Sequence, residues 1–267
     1  MATSLLREAG TALVDLVLPR TCAGCGVPGA MLCPRCAPLL AAPRLAEPRR
    51  FPAGFPPTVA AGAYAGPVRP AINAFKEQGR AELAAPLGAA LALAVVAVRL
   101  GSGAPARPVV LVPVPTSPAA VRARGRDHVR ELTARAAAEL RAAGVPATGC
   151  PTLRRRGRIR DSAGLSASQR RANLAGTFAL DAHRRPAGAL LVLVDDVVTT
   201  GATLTEAASV LAAGLPPGDL PVLAAVVAAT PRSPGTPRAD PVRAGRYRAG
   251  NVLWDDLDRL SRPGRRD

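Results

Sequence analysis

The run Leu190-Leu191-Val192-Leu193-Val194, continued by Asp195-Asp196-Val197-Val198-Thr199-Thr200-Gly201-Ala202-Thr203, constrains this chain more than any other stretch. Five leucine or valine residues in succession predict a strand buried on both faces, as in a parallel sheet. Two carboxylates then stand at its C-terminal end, where open α/β sheets place their ligands. The small-residue turn from Thr199 to Thr203 leads into a helical pattern from Leu204 to Ala213. Thr203 and Glu206 are spaced as a capping box, and Gly214 supplies the stop. Such a turn brings backbone N–H groups, three hydroxyls and the positive end of a helix to one point, which is the chemistry of a phosphate cradle.

Two aspartates would repel a bare phosphate. They fit a ligand that also carries hydroxyls and a divalent metal, that is, a phosphorylated sugar, because carboxylates accept from ribose hydroxyls and hard oxygens suit Mg²⁺. The rival phosphate motif G-x-x-x-x-G-K-[ST] is absent, and the single lysine of the chain is Lys76. The plainer alternative is a buried strand whose acidic end caps a helix. The coincidence of apolar strand, paired acids and threonine–glycine turn favours the ligand site. The run resembles the phosphoribosyl-diphosphate motif of type I phosphoribosyltransferases.

A chain of 267 residues can bury a sizeable core, and its length predicts one main domain with an accessory element. Aromatics make up 3% of it, so the core must be built from alanine, valine and leucine, with small residues at close helix contacts. The net charge of +16 is carried almost wholly by arginine and attracts polyanions, whether phosphorylated metabolites or nucleic acid. Codon bias explains arginine in place of lysine but not the excess of base over acid. Residues 3–18 are apolar at helical spacing, yet Arg7, Glu8 and Asp15 interrupt any signal-peptide core. The uncharged segment Leu83 to Val98 is about a turn short of a membrane span and holds Pro86 and Gly88, so a buried helix is expected. With no span expected, the chain reads as cytoplasmic.

Cys22-x-x-Cys25 followed by Cys33-x-x-Cys36 is the second strong signal. Two such knuckles bring four thiolates to one tetrahedral Zn²⁺, a closed and structural site. A disulfide pair is the alternative, disfavoured in a cytosolic chain. Cys150, the fifth cysteine, is expected to pack beside a strand. Residues 37–58 read as a proline- and arginine-rich linker. Tyr64 to Lys76 predicts a turn and a short helix, Glu82 to Leu100 an alanine-rich helix, and Val109 to Pro115 a buried strand with prolines on the ligand side. The loop Thr116 to Ala120 and the run Arg122 to His128 precede a helix from Val129 to Ala143. Their amides and arginines suit a second anionic group, or else form a solvated helix start. A further strand is expected near Pro146 to Leu153. The glycine-flanked arginines from Arg154 to Arg160 read either as a lid over an anionic substrate or as a solvated loop. His128 and His183 have no acid or nucleophile partner at recognisable spacing and receive no catalytic role. Leu220 to Ala229 predicts one more strand, and the tail from Pro231 is expected to be poorly ordered.

The order of these parts resembles the ComF-like competence proteins: double C-x-x-C, Tyr64-x-Gly66-x-x-Arg69 with Phe75-Lys76, Val112-Pro113-Val114-Pro115 with Arg124-Gly125, Arg171…Asn173-Leu174-x-Gly176-x-Phe178, then the aspartate–threonine motif. The resemblance covers about residues 5–230. It implies an α/β, type I phosphoribosyltransferase-like parallel sheet flanked by helices (59–230), an N-terminal helix and four-cysteine zinc ribbon (1–45), and an uncovered tail (231–267). It implies structural Zn on Cys22, Cys25, Cys33 and Cys36, and Mg with a phosphoribosyl diphosphate substrate. Asp195 and Asp196 would hold the ribose hydroxyls. Val198, Thr199, Thr200, Gly201, Ala202 and Thr203 would bind the 5′-phosphate, with Arg124 toward the diphosphate. The chain departs from the family where Arg126-Asp127-His128 replaces Phe-Asn-Gln, and where Ser162-Ala163 precedes Gly164-Leu165 without the usual glutamine. The family's link to transformation, together with the charge, makes single-stranded DNA or DNA-uptake machinery the alternative partner. Neither an acceptor nor an oligomeric state follows from the sequence.

Overall fold

A computed structural model describes residues 20–47, 53–156, 176–181, 188–216 and 219–231. The strands are β1 (Arg44–Leu45), β2 (Thr58–Ala63), β3 (Val109–Pro113), β4 (Ala147–Gly149), β5 (Leu153–Arg155), β6 (Phe178–Leu180), β7 (Leu190–Val198) and β8 (Leu223–Ala229). The helices are α1 (Val68–Glu77), α2 (Ala84–Leu100), α3 (Pro118–Arg124), α4 (His128–Ala142) and α5 (Ala202–Ala213). Six strands form one sheet in the order β1-β2-β8-β7-β3-β4, parallel except for the edge strand β1. Strands β5 and β6 make a separate antiparallel pair.

The apolar runs alternate between two buried faces, as the period of two in a pleated strand requires. Val109, Leu111, Leu190, Val192, Val194, Leu223 and Ala225 meet α1, α2 and α4 on one face. Val110, Val112, Leu191, Leu193, Ala224 and Val226 meet α5 and the β5–β6 pair on the other. From β2 to β3 and from β3 to β4 the chain moves toward the β4 edge through α2 and α4. From β7 to β8 it moves the opposite way through α5, on the opposite face. A common crossover hand demands this arrangement. The direction reverses between β3 and β7, so the crevice of the fold lies at their carboxyl ends.

The apolar stretch Ala81–Leu100 is long and apolar enough to cross a membrane by length and composition. In the structure α2 packs on α4, β8 and β2, as expected of a core helix. Gly88 lets α2 approach α4, since a Cβ there would stand 2.4 Å from the Cβ of Arg135.

Part of the expected linker at 37–58 belongs to the fold. Ala37–Leu40 forms a 3₁₀ turn whose Leu40 enters the core, and β1 pairs with β2. Gly62 of β2 lies so close beneath this turn that a Cβ would meet the Leu39 carbonyl oxygen at 2.4 Å. Proline and arginine mask such a segment in the sequence, because only two residues pair and one leucine anchors. Residues 1–19 with the expected N-terminal helix, residues 157–175 of the arginine-rich stretch, His183 and the tail beyond 231 lie outside the described residues.

Candidate functional site

Strand β7 does not end at Val194 but runs on to Val198, because β8 pairs with it that far. Asp195 and Asp196 therefore lie within the strand, and the pleat sends them to opposite faces. Asp196 follows Val192 and Val194 to the α1/α4 side. Its Oδ2 accepts from Lys76 Nζ of α1 at 2.8 Å and from His128 Nε2 of α4 at 3.1 Å, and its Oδ1 accepts from the Val197 amide at 2.7 Å. Asp195 turns to the other side, where its Oδ1 accepts from the Asp196 amide at 2.9 Å.

Electrostatics separate the pair. Burial drives the Asp195 carboxyl well above the ordinary range, and the neighbouring Asp196 charge adds to the rise. Burial would raise Asp196 too, but the hydrogen bond from His128 and the Lys76 ammonium outweigh it and hold the group well below the ordinary range. Burial works to lower Lys76, and the Asp196 carboxylate reverses that to leave it raised. Arg155 of β5 is lowered by burial, with Asp195 pulling the other way. Its Nε donates to the Pro115 carbonyl at 3.1 Å, and its guanidinium lies over Phe178, 5.6 Å from the ring centre.

The turn after β7 is a sharp reversal. Gly201 adopts φ of +77°, a left-handed conformation natural only to glycine, and α5 starts at Ala202. The expected capping box does not form. With Gly201 as N-cap, Thr203 sits inside the helix, and Glu206 Oε1 instead accepts from the Gly176 amide at 2.8 Å. Gly201 has no side chain to cap this helix start, and the Ala202 amide donates a long bond of 3.5 Å to Thr200 Oγ1. Thr205 Oγ1 donates to the Gly201 carbonyl at 2.9 Å and so fixes the turn from below. Thr199 is exposed, Thr200, Ala202 and Thr203 are half-buried, and Val198 and Gly201 are buried, so the turn offers its threonines and Ala202 at the carboxyl end of β7.

Two of the other expected anion groups, Arg124 and Arg126, are already engaged, as is the neighbouring Arg130. Arg124 makes a bidentate pair with Glu77, Nε to Oε2 at 2.9 Å and Nη2 to Oε1 at 2.7 Å. Arg126 pairs with Glu131, donates to the Phe75 carbonyl and stacks on the Phe75 ring. Arg130 faces Asp127, which caps α4 and accepts from Thr116. A groove of about 320 Å³ between α4 and β4 is lined by Arg130, Thr133, Arg141 and Gly149, and lies apart from the aspartates. Motif spacing does not reveal Lys76 or His128 as site residues, since the acid partner of His128 lies 68 positions away. The signals in the sequence are that Lys76 is the sole lysine of the chain and that Phe75-Lys76 is one of the pieces on which the resemblance rests.

Beside Pro67, just ahead of α1, Cys22, Cys25, Cys33 and Cys36 bring their sulfurs within 4.8 Å of one another. A tetrahedron of Zn–S bonds of about 2.3 Å has edges of about 3.8 Å. The Cys25–Cys33 sulfur separation of 3.6 Å matches it. Burial tends to raise the Cys22 thiol, but amide donors of Cys33, Cys25 and Gly24 bring it down to about 6. Cys36 is pushed up to about 12 by burial and by the neighbouring thiols. The group can hold a metal such as zinc. Ala23, Met31 and Leu32 pack it onto the main core.

No protein-family model and no curated protein matches the chain.

Proposed function

We propose that the chain is a phosphoribosyltransferase-type protein that binds 5-phosphoribosyl 1-diphosphate in the crevice between β3 and β7. One observation carries this reading. The central strand passes through two aspartates into a left-handed glycine and a helix start without an N-cap side chain, at the point where the sheet reverses its winding. The rim 198–203 suits a 5′-phosphate, and the carboxylate of Asp195 suits ribose hydroxyls. Mg²⁺ would enter on the diphosphate, since Asp196 already has Lys76 and His128 as partners and the described residues offer no cage of oxygens around it. The chain's own part in transfer is positioning and charge neutralisation as diphosphate leaves a cationic ribose, which needs no catalytic histidine or cysteine. The four-cysteine group followed by this sheet is in keeping with a ComF-like architecture.

Calorimetry with phosphoribosyl diphosphate and Mg²⁺ tests the site. Wild type is expected to give a binding isotherm that Asp195→Asn loses; equal heats would overturn the assignment. Diphosphate release that requires a nucleobase or amine would establish turnover.

A further inference from the structure

The two aspartates look equivalent in the sequence but have unlike surroundings. Both oxygens of Asp196 are occupied from within the protein, Oδ2 by Lys76 and His128 and Oδ1 by the Val197 amide. Three of the roughly four acceptor sites of this carboxylate are thereby taken, and at 3% exposed it has little surface to offer a ligand. Because Oδ2 accepts, His128 Nε2 is the donor. The neutral ring then suffices for the contact, and its Nδ1 is left buried without a partner. His128 is thereby committed to Asp196, and it packs edge-on to Phe75, the neighbour of Lys76 in α1. Asp195 is half-buried, accepts through Oδ1 from the Asp196 amide, and has no ion pair among the described residues.

Lys76 is different again. Its side chain is 30% exposed, and one of three ammonium donors goes to Asp196. The ionisable groups around it are Asp195 and Asp196 of β7, Glu77 of its own helix, Arg124 of α3 and His128 of α4. Arg124 is matched by Glu77 and Asp196 by Lys76 itself. Among 35 basic residues this is the single lysine, a compact point charge where the remainder are broad guanidinium forks.

Resting on the phosphoribosyl diphosphate reading above, we infer that the two aspartates divide the work: Asp195 meets the sugar hydroxyls, whereas Asp196, steadied by His128, holds the Lys76 ammonium in the crevice to bind the ligand's diphosphate. Lys76 is then a ligand-binding residue that the paired-acid motif does not reveal, and Asp196 and His128 are positioning residues.

Two probes separate the roles in the full chain: inorganic pyrophosphate and ribose 5-phosphate, each titrated calorimetrically. Wild type is expected to bind both. Lys76→Gln should weaken pyrophosphate roughly ten- to a hundredfold, the usual weight of a charge-assisted contact, and leave ribose 5-phosphate within about threefold. Lys76→Arg should recover part of the pyrophosphate affinity. Asp196→Asn should copy Lys76→Gln, while Asp195→Asn should weaken ribose 5-phosphate. Thermal melts establish that each variant is folded, and His128→Gln, which keeps a donor, serves if Asp196→Asn does not fold. Equal losses of both probes in Lys76→Gln, or no loss of either, would overturn the division of roles while leaving the site intact. A wild-type chain that binds neither probe would overturn the site and the division together.

Discussion

Asp196 is 3% exposed and accepts from two side chains that arrive from separate helices, α1 and α4. Its removal leaves Lys76 and His128 facing an amide. Loss of one partner from a buried ion pair costs about 3–5 kcal/mol, and the partial exposure of Lys76 places Asp196→Asn near or below the lower end of that range. The pH dependence follows from the depressed acidity. The folded carboxyl stays ionised where the unfolded one, with an ordinary value of about 4, takes up a proton. The stabilisation is therefore complete above about pH 5 and is lost as pH falls below about 4 toward the folded value. Urea melts of wild type and Asp196→Asn at about pH 7, 5 and 3 should show a difference that is constant between the first two and smaller at the third. At the metal group, Cys33→Ser should abolish the roughly one equivalent of zinc per chain expected in the purified protein by elemental analysis.

Elements meet through small residues here, as a core with few aromatics requires. Gly88 brings α2 onto α4, and a side chain at that position has backbone-proximal atoms of Arg135 to displace rather than a flexible tip. Gly88→Val is expected to cost about 1–3 kcal/mol by overpacking, read from the shift of a denaturant midpoint at unchanged slope. Gly201 joins β7 to α5 with a left-handed turn. Gly201→Ala should cost about 1–2 kcal/mol in strain and also weaken ribose 5-phosphate, since the amides of the turn would be re-aimed. A stability loss with unchanged ribose 5-phosphate affinity would detach the turn from the ligand.

At the scale of the molecule, the net charge of +16 gives a long-range pull on polyanions. The local geometry works against a continuous nucleic-acid groove in this part of the surface, because Arg124, Arg126 and Arg130 each face a carboxylate. Single-stranded DNA binding is accordingly expected at low salt and lost by physiological salt, measured by fluorescence anisotropy across a salt series. Affinity that persists at physiological salt would favour the DNA-binding alternative. The four-cysteine group is also a whole-molecule matter. Leu32 and Leu40 carry it onto the core that seats α1, so chelation should loosen α1 as well as the knuckles, seen as faster amide exchange around Lys76.

The strand at 190–194, the helix after the turn, the four-cysteine spacing and the burial of the 84–100 helix are legible in the sequence, since each depends on a period or spacing a few residues long. Strand β1 is not, because a two-residue pairing leaves no periodic trace. The capping of α5 escapes the sequence for a similar reason: a left-handed glycine sets the helix start, and a distant amide, that of Gly176, claims Glu206. The crevice itself divides along the same line. Its rim of aspartates, threonines and glycine is contiguous in sequence, so its chemistry can be read there. The unlike roles of the two aspartates cannot, because the added length of β8 pairing extends the strand through them and the pleat sends them apart. Only the packing of α1 and α4 against that strand brings Lys76 and His128, distant in the chain, to a single carboxylate oxygen.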